Sequence, residues 1–66
     1  MRILPARCVI LPPFIDGAPG DDEFTHCAGV AKRWLPVRDE FVVTLLDGRD
    51  IEFHAERLRW LDDEAA

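Results

Sequence analysis

The sequence contains no serine and no tyrosine, and it is short of positive charge, with 8 Lys and Arg against 13 Asp and Glu and a formal net charge of −5. Without serine there is no Ser-His-Asp nucleophile. The acidic balance argues against phosphate-backbone binding, which needs a basic face and draws its affinity from counterion release. No glycine-rich phosphate loop sits between a strand and a helix. Nor does any apolar run approach the ~20 residues needed to cross a bilayer, so no membrane segment is expected. Cys8 and Cys27 are the only cysteines. A lone pair without a secretory signal reads as two reduced thiols rather than a disulfide. Arg7 and three prolines interrupt the apolar N-terminal stretch MRILPARCVILPP, which reads as a strand of a cytoplasmic protein rather than a leader peptide.

What is present suits one small domain over residues 1–66. The chain is 48% hydrophobic and 32% charged, a globular balance. A chain of this length buries only roughly 60% of its unfolded surface.

The clearest local signal is LLDGRDIEFH, Leu45 to His54. An Asp-Gly pair between two apolar-rich runs predicts a β-hairpin. A two-residue turn at Asp47-Gly48 would set Phe41, Val43 and Leu45 against Glu52 and Asp50. A three-residue loop, Leu46-Asp47-Gly48, with Gly48 in the left-handed conformation as a bulge, shifts the register by one. Phe41 then faces Phe53 and Val43 faces Ile51. One side becomes Phe41, Val43, Leu45, Ile51, Phe53 and Ala55, and the other Val42, Thr44, Asp50, Glu52 and His54. Burial of one face fixes register, so the bulged hairpin is expected.

Leu4 to Leu11 reads as a strand ended by Pro12-Pro13. FIDGAPGDDE reads as a long acidic loop. Two structures fit the segment after it. A helix at about 22–35 would place Phe24, Cys27, Ala28, Ala31 and Trp34 on one face, between an Asp cap and Pro36. Gly29 weighs against that helix, and a strand from His26 to Leu35, feeding the hairpin, is preferred. Ala55 to Leu61 suggests a short turn with Trp60 closing the open end of the core, ahead of a solvated Asp62-Asp63-Glu64 tail.

The run GVAKRWLPVRDEFVVTLLDGRDIEFHAERLRWL resembles the SH3-like small β-barrels, including their Tudor-type and KOW-type members. The resemblance implies a mainly β fold of about five short strands, with a long acidic loop from Pro12 to Thr25 and a 3-10 turn near the C-terminus. Its parts would be strands Gly29–Leu35, Phe41–Leu46, Ile51–His54 and Arg59–Leu61, with the turn at Ala55–Leu58. It also implies a binding habit without specifying function. A Tudor-type aromatic cage for a cation would here have to come from Trp34, Trp60, Phe14 and Phe24. An α+β arrangement with the 22–35 helix is the alternative fold.

No metal or cofactor is expected. His26 and Cys27 are adjacent, so they would point to opposite sides of a strand, the wrong spacing for a zinc site with Cys8 and His54. A Cys–His nucleophile needs an accessible pocket that so short a chain hardly offers. The acids are the better lead. Asp21, Asp22 and Glu23 in the loop, Asp39 and Glu40 before the hairpin, and Asp50, Glu52 and His54 on its outer face are expected to form a negative rim. Such a rim steers a chain toward a basic protein surface, whereas charge runs of this kind also serve solubility alone.

Two functions follow. One is a non-enzymatic protein-binding module, an inhibitor or adaptor. In size and charge such a module resembles the small anti-CRISPR and DNA-mimic proteins that phages direct at host machinery. The other is a homo-oligomeric subunit or small enzyme whose cleft forms between copies, with Val42 and Leu46 at the interface.

Overall fold

A computed structural model describes residues 2–61. Its strands are β1 (Ala6–Ile10), β2 (Phe14–Ile15), β3 (Ala18–Pro19), β4 (Ala28–Leu35), β5 (Glu40–Leu45), β6 (Asp50–His54) and β7 (Leu58–Trp60), with a 3-10 turn at Ala55–Arg57. Five of them form one antiparallel sheet in the order β6-β5-β4-β1-β7, and β2 and β3 pair separately as a small hairpin. The mainly β fold with its late 3-10 turn is therefore the expected one. The sheet is open, since β6 and β7 are its two ends and no described strand joins them. The helix considered for residues 22–35 is not formed. Asp22 to His26 instead make turns, and β4 follows.

The β5–β6 hairpin has the bulged register, with Phe41 opposite Phe53 and Val43 opposite Ile51. Gly48 lies at φ 92° and donates its N–H to the Leu45 carbonyl at 2.9 Å, while the Leu45 N–H reaches the Arg49 carbonyl at 2.9 Å. The inward row supplies Val43, Leu45 and Phe53 to a core completed by Cys8, Ile10, Ala31 and Leu58. Leu4, Phe24, Cys27, Phe41, Ile51 and Trp60 pack around it. Trp60 meets Phe41 edge to face at 5.0 Å and so covers that end of the core.

In β4 the pairing slips between Ala31, opposite Val43, and Arg33, opposite Val42. Lys32 is the extra residue of a β-bulge. Both Lys32 and Arg33 are thereby exposed, and Trp34 returns to the inner side opposite Phe41. Gly29 is required in this strand for another reason. A Cβ there would lie 2.7 Å from Val43 Cγ1 and 2.9 Å from the Thr44 carbonyl, so the close approach of β4 to β5 excludes any side chain.

Candidate protein-binding surface

The segment expected as an irregular loop contains ordered structure. Phe14 pairs with Pro19 and Ile15 with Ala18, joined by Asp16 at φ 52° and Gly17 at φ 78°. Positive φ at both central residues is the type I′ geometry that Asp-Gly favours. The hairpin closes at its base through the Gly20 N–H, which donates to the Pro13 carbonyl at 2.6 Å. All six residues from Phe14 to Pro19 are exposed, Phe14 by 78% and Ile15 by 55%. A shallow cavity of about 450 Å³ runs along the arm between Leu11, Pro12, Phe14, Pro19 and Glu56. No Lys or Arg occurs from Cys8 to Ala31, a stretch that holds Asp16, Asp21, Asp22 and Glu23. The second Asp-Gly pair was a signal for this hairpin, but runs of two residues carry no alternation to read.

The eight residues expected at one rim fall into two groups. Asp22 belongs to the scaffold. Its Oδ1 accepts from the Phe24 N–H and the Thr25 hydroxyl, both at 3.0 Å. Arg57 then clasps the same carboxylate, with Nη2 to Oδ1 at 3.1 Å and Nη1 to Oδ2 at 3.0 Å. The guanidinium also donates to the Leu11 carbonyl from Nε and Nη2. The Arg57 hydrogen bond, with help from Thr25 and Phe24, lowers the Asp22 carboxyl below its ordinary pKa. Asp21 and Glu23 on either side are exposed. Phe24, next in line, packs on the core residue Phe53 at 5.4 Å, edge to face, so this group sits on the core side of the hairpin.

Asp39, Glu40, Asp50, Glu52 and His54 form the other group, on or beside the outer face of β5 and β6. Glu40 lies opposite His54, and Thr44 lies opposite Asp50. The Thr44 hydroxyl donates to Asp50 at 2.5 Å. Arg38 pairs with Glu52 at 2.9 Å and stands 4.0 Å from Glu40. Glu40 Oε1 is buried with no hydrogen-bond donor to it. His54 Nε2 stands 3.5 Å from Asp39 Oδ2, and its Nδ1 accepts the Glu56 N–H at the start of the 3-10 turn. This face is mixed rather than uniformly negative, because Arg33 and Arg38 lie among the acids.

Of the four aromatic residues considered for a cage, Trp34 and Trp60 come together around Phe41, and Phe14 and Phe24 lie apart from them. Phe24 serves the core, Phe14 rides on the arm, and Trp34 and Trp60 each pack against Phe41. The guanidinium of Arg2 lies 4.1 Å from the Trp60 ring centroid. Arg2 also lines a cavity of about 250 Å³ with Leu4, Trp34 and Phe41.

His26 is not in a strand. It occupies a left-handed turn position, φ 67°, just before β4. Cys8 is fully buried, its thiol directed at the Gly29 carbonyl, and burial pushes its pKa up. Among the described residues no three His, Cys, Asp or Glu side chains are grouped to hold a metal ion. No described helix is long and apolar enough to cross a membrane. Asp62 to Glu64 lie outside the described residues. Comparison of the chain with known protein families, curated proteins and solved structures returned no match.

Proposed function

We propose that the chain is a small acidic protein-binding module without catalytic activity, an inhibitor or adaptor that docks on a basic protein surface. The observation that carries this reading is the β2–β3 arm. It holds a large aromatic and a branched aliphatic side chain in water on an ordered ladder, within a stretch that has acids and no Lys or Arg. Apolar area exposed in this way is recovered on association at roughly 25 cal/mol per Å² before the costs of docking. Aromatic anchors dominate such interfaces. Asp16 lies in the arm's own turn and Asp21 and Glu23 follow the arm in sequence; negative charge on this segment favours encounter with a positive surface and disfavours a negative one. The size and charge agree with the small inhibitors directed at host machinery.

The test is affinity capture from source cells using three forms: the native chain, Phe14→Ser with Ile15→Ser, and Asp16→Asn with Asp21→Asn and Glu23→Gln. Asp22 is left intact because it holds the loop to Arg57. A stoichiometric partner that the apolar variant loses, and that the charge variant captures more slowly and with less salt dependence, supports the reading. Equal capture by all three forms removes the arm from the interface. Self-association in light scattering, with no partner, would instead favour the oligomeric subunit.

A further inference from the structure

The second surface is an edge of the main sheet. The backbone bonds Leu45 N–H to Arg49 O and Ala55 N–H to Asp39 O mark both ends of the β5–β6 ladder. Alternation between them turns the polar backbone groups of Ile51 and Phe53 toward β5. Those of Asp50, Glu52 and His54 turn the other way, and β6 is an end strand of the sheet with no described strand beyond it. Unpaired edges of this kind are templates for another strand.

The side chains say which strand fits. Asp50, Glu52 and His54 stand on the outer face, and Ile51, half-buried between them, stands on the core side. A second copy of β6 fits poorly. Two-fold antiparallel pairing centred on Glu52 sets that residue against itself, and centring on Ile51 sets Asp50 against Glu52, a destabilising arrangement. Centring on Phe53 matches Glu52 with His54 but runs out of strand, since Asp50 then meets Glu56 of the 3-10 turn. An incoming strand with cations at alternate positions meets Asp50 and Glu52 with opposite charge. Its intervening apolar residues continue the row begun by Ile51.

We infer that the β6 edge, through the outward backbone of Asp50, Glu52 and His54, accepts an extended segment of alternating basic and apolar residues as an additional antiparallel strand. Strand addition of this type takes its affinity from main-chain hydrogen bonds and its specificity from alternate side chains. Arg38 is the internal competitor. Exposed, and 2.9 Å from Glu52, it occupies the carboxylate that a cation of the incoming strand would meet. This inference does not rest on the arm, which lies elsewhere in the chain.

The experiment uses the full, isotope-labelled chain and a blocked hexapeptide that alternates arginine with valine. Binding is expected to be saturable and weakened by salt. The amide protons of Asp50, Glu52 and His54 should gain protection from exchange, while those of Ile51 and Phe53, already bonded to β5, should change little. N-methylation of the peptide's arginines removes the donors that face β6 and should weaken binding about tenfold or more. N-methylation of its valines, whose N–H groups face away, should not. Arg38→Ala, by freeing Glu52, should tighten binding about twofold to fivefold. Glu52→Pro should abolish binding and keep the native spectrum, since proline is tolerated where an edge N–H faces solvent. If that variant fails to fold, the two methylated peptides carry the same distinction. Absence of binding, or equal effects of the two methylations, or protection appearing elsewhere on the chain would overturn the inference. Phe14→Ser should bind the peptide as the native chain does, so loss of the arm's partner and loss of strand addition are read separately.

Discussion

Arg57 and Asp22 are 35 residues apart in sequence and meet through two guanidinium–carboxylate contacts at 3.0 and 3.1 Å. Arg57 leaves the 3-10 turn and ties the loop that carries Phe24 to the end of β1, where it also holds the Leu11 carbonyl. Because the Asp22 pKa is lowered in the folded state, chiefly by the Arg57 hydrogen bond, the stabilisation is fully present above the ordinary value of 3.8. It is lost as pH falls through the lowered one. Asp22→Asn should therefore melt a few degrees below the native chain at neutral pH. The gap stays modest because the carboxylate is about one-third exposed. It should narrow as pH drops below 3.8, and a gap that stays constant with pH would disconnect Asp22 from the acid limb.

Replacing Arg57 with Ala removes more than the ion pair, since the Leu11 carbonyl loses both of its side-chain donors. The expected loss is about 1–3 kcal/mol at neutral pH, read from chemical denaturation as a lower midpoint with an unchanged slope.

Gly48 and Gly29 should both resist substitution by alanine, for different reasons. At Gly48 the space is open, so the cost is that of a side chain at φ 92°, about 1–2 kcal/mol. That corresponds to roughly 4–8 °C in Tm per kcal/mol for a domain of this size. At Gly29 the backbone is unstrained and the clash is with Val43 and the Thr44 carbonyl, about 1–3 kcal/mol of overpacking. Gly48→Asn, which tolerates the left-handed region better, should recover part of the loss, whereas Gly29→Ser should recover none.

The two thiols should separate kinetically toward a disulfide reagent. Cys8 is fully buried with a raised pKa and should label only when the chain unfolds. Cys27, at the partly exposed entrance to β4, should label in the native state. Rapid modification of both thiols in the folded chain would contradict the packing of Cys8 against Gly29.

The β5–β6 hairpin was legible because its side-chain period is two and one face is buried, so a single displaced residue would have put Phe53 in water. Residues 22–35 left helix and strand both open; the preferred strand is formed as β4, Ala28–Leu35, and the bulge at Lys32 gives it the helix-like pattern. It places Ala31 and Trp34, three apart, on the same inner side, a spacing that imitates a helix face. The same bulge lets Lys32 and Arg33 both face solvent, which an uninterrupted strand forbids. The engagement of Asp22 by Arg57 was hidden by distance along the chain, since an acid beside two other acids carries no mark of a partner 35 positions on. The outward backbone of β6 was implicit in the hairpin register, but that β6 ends the sheet depended on the topology of the other strands.

The arm closes on itself. Because the Gly20 N–H and the Pro13 carbonyl join at its base, the residues between them hang from one backbone bond and contribute no side chain to the core. Their identity is thus free of the packing that constrains the rest of the chain. Phe14, Ile15, Ala18 and Pro19 can be exchanged there as in a grafting site, provided the Asp16-Gly17 turn keeps residues suited to positive φ, and tolerance to insertion concentrates at such exposed tips. Rewriting these four positions would change the exposed face of the arm and leave the sheet beneath it the same.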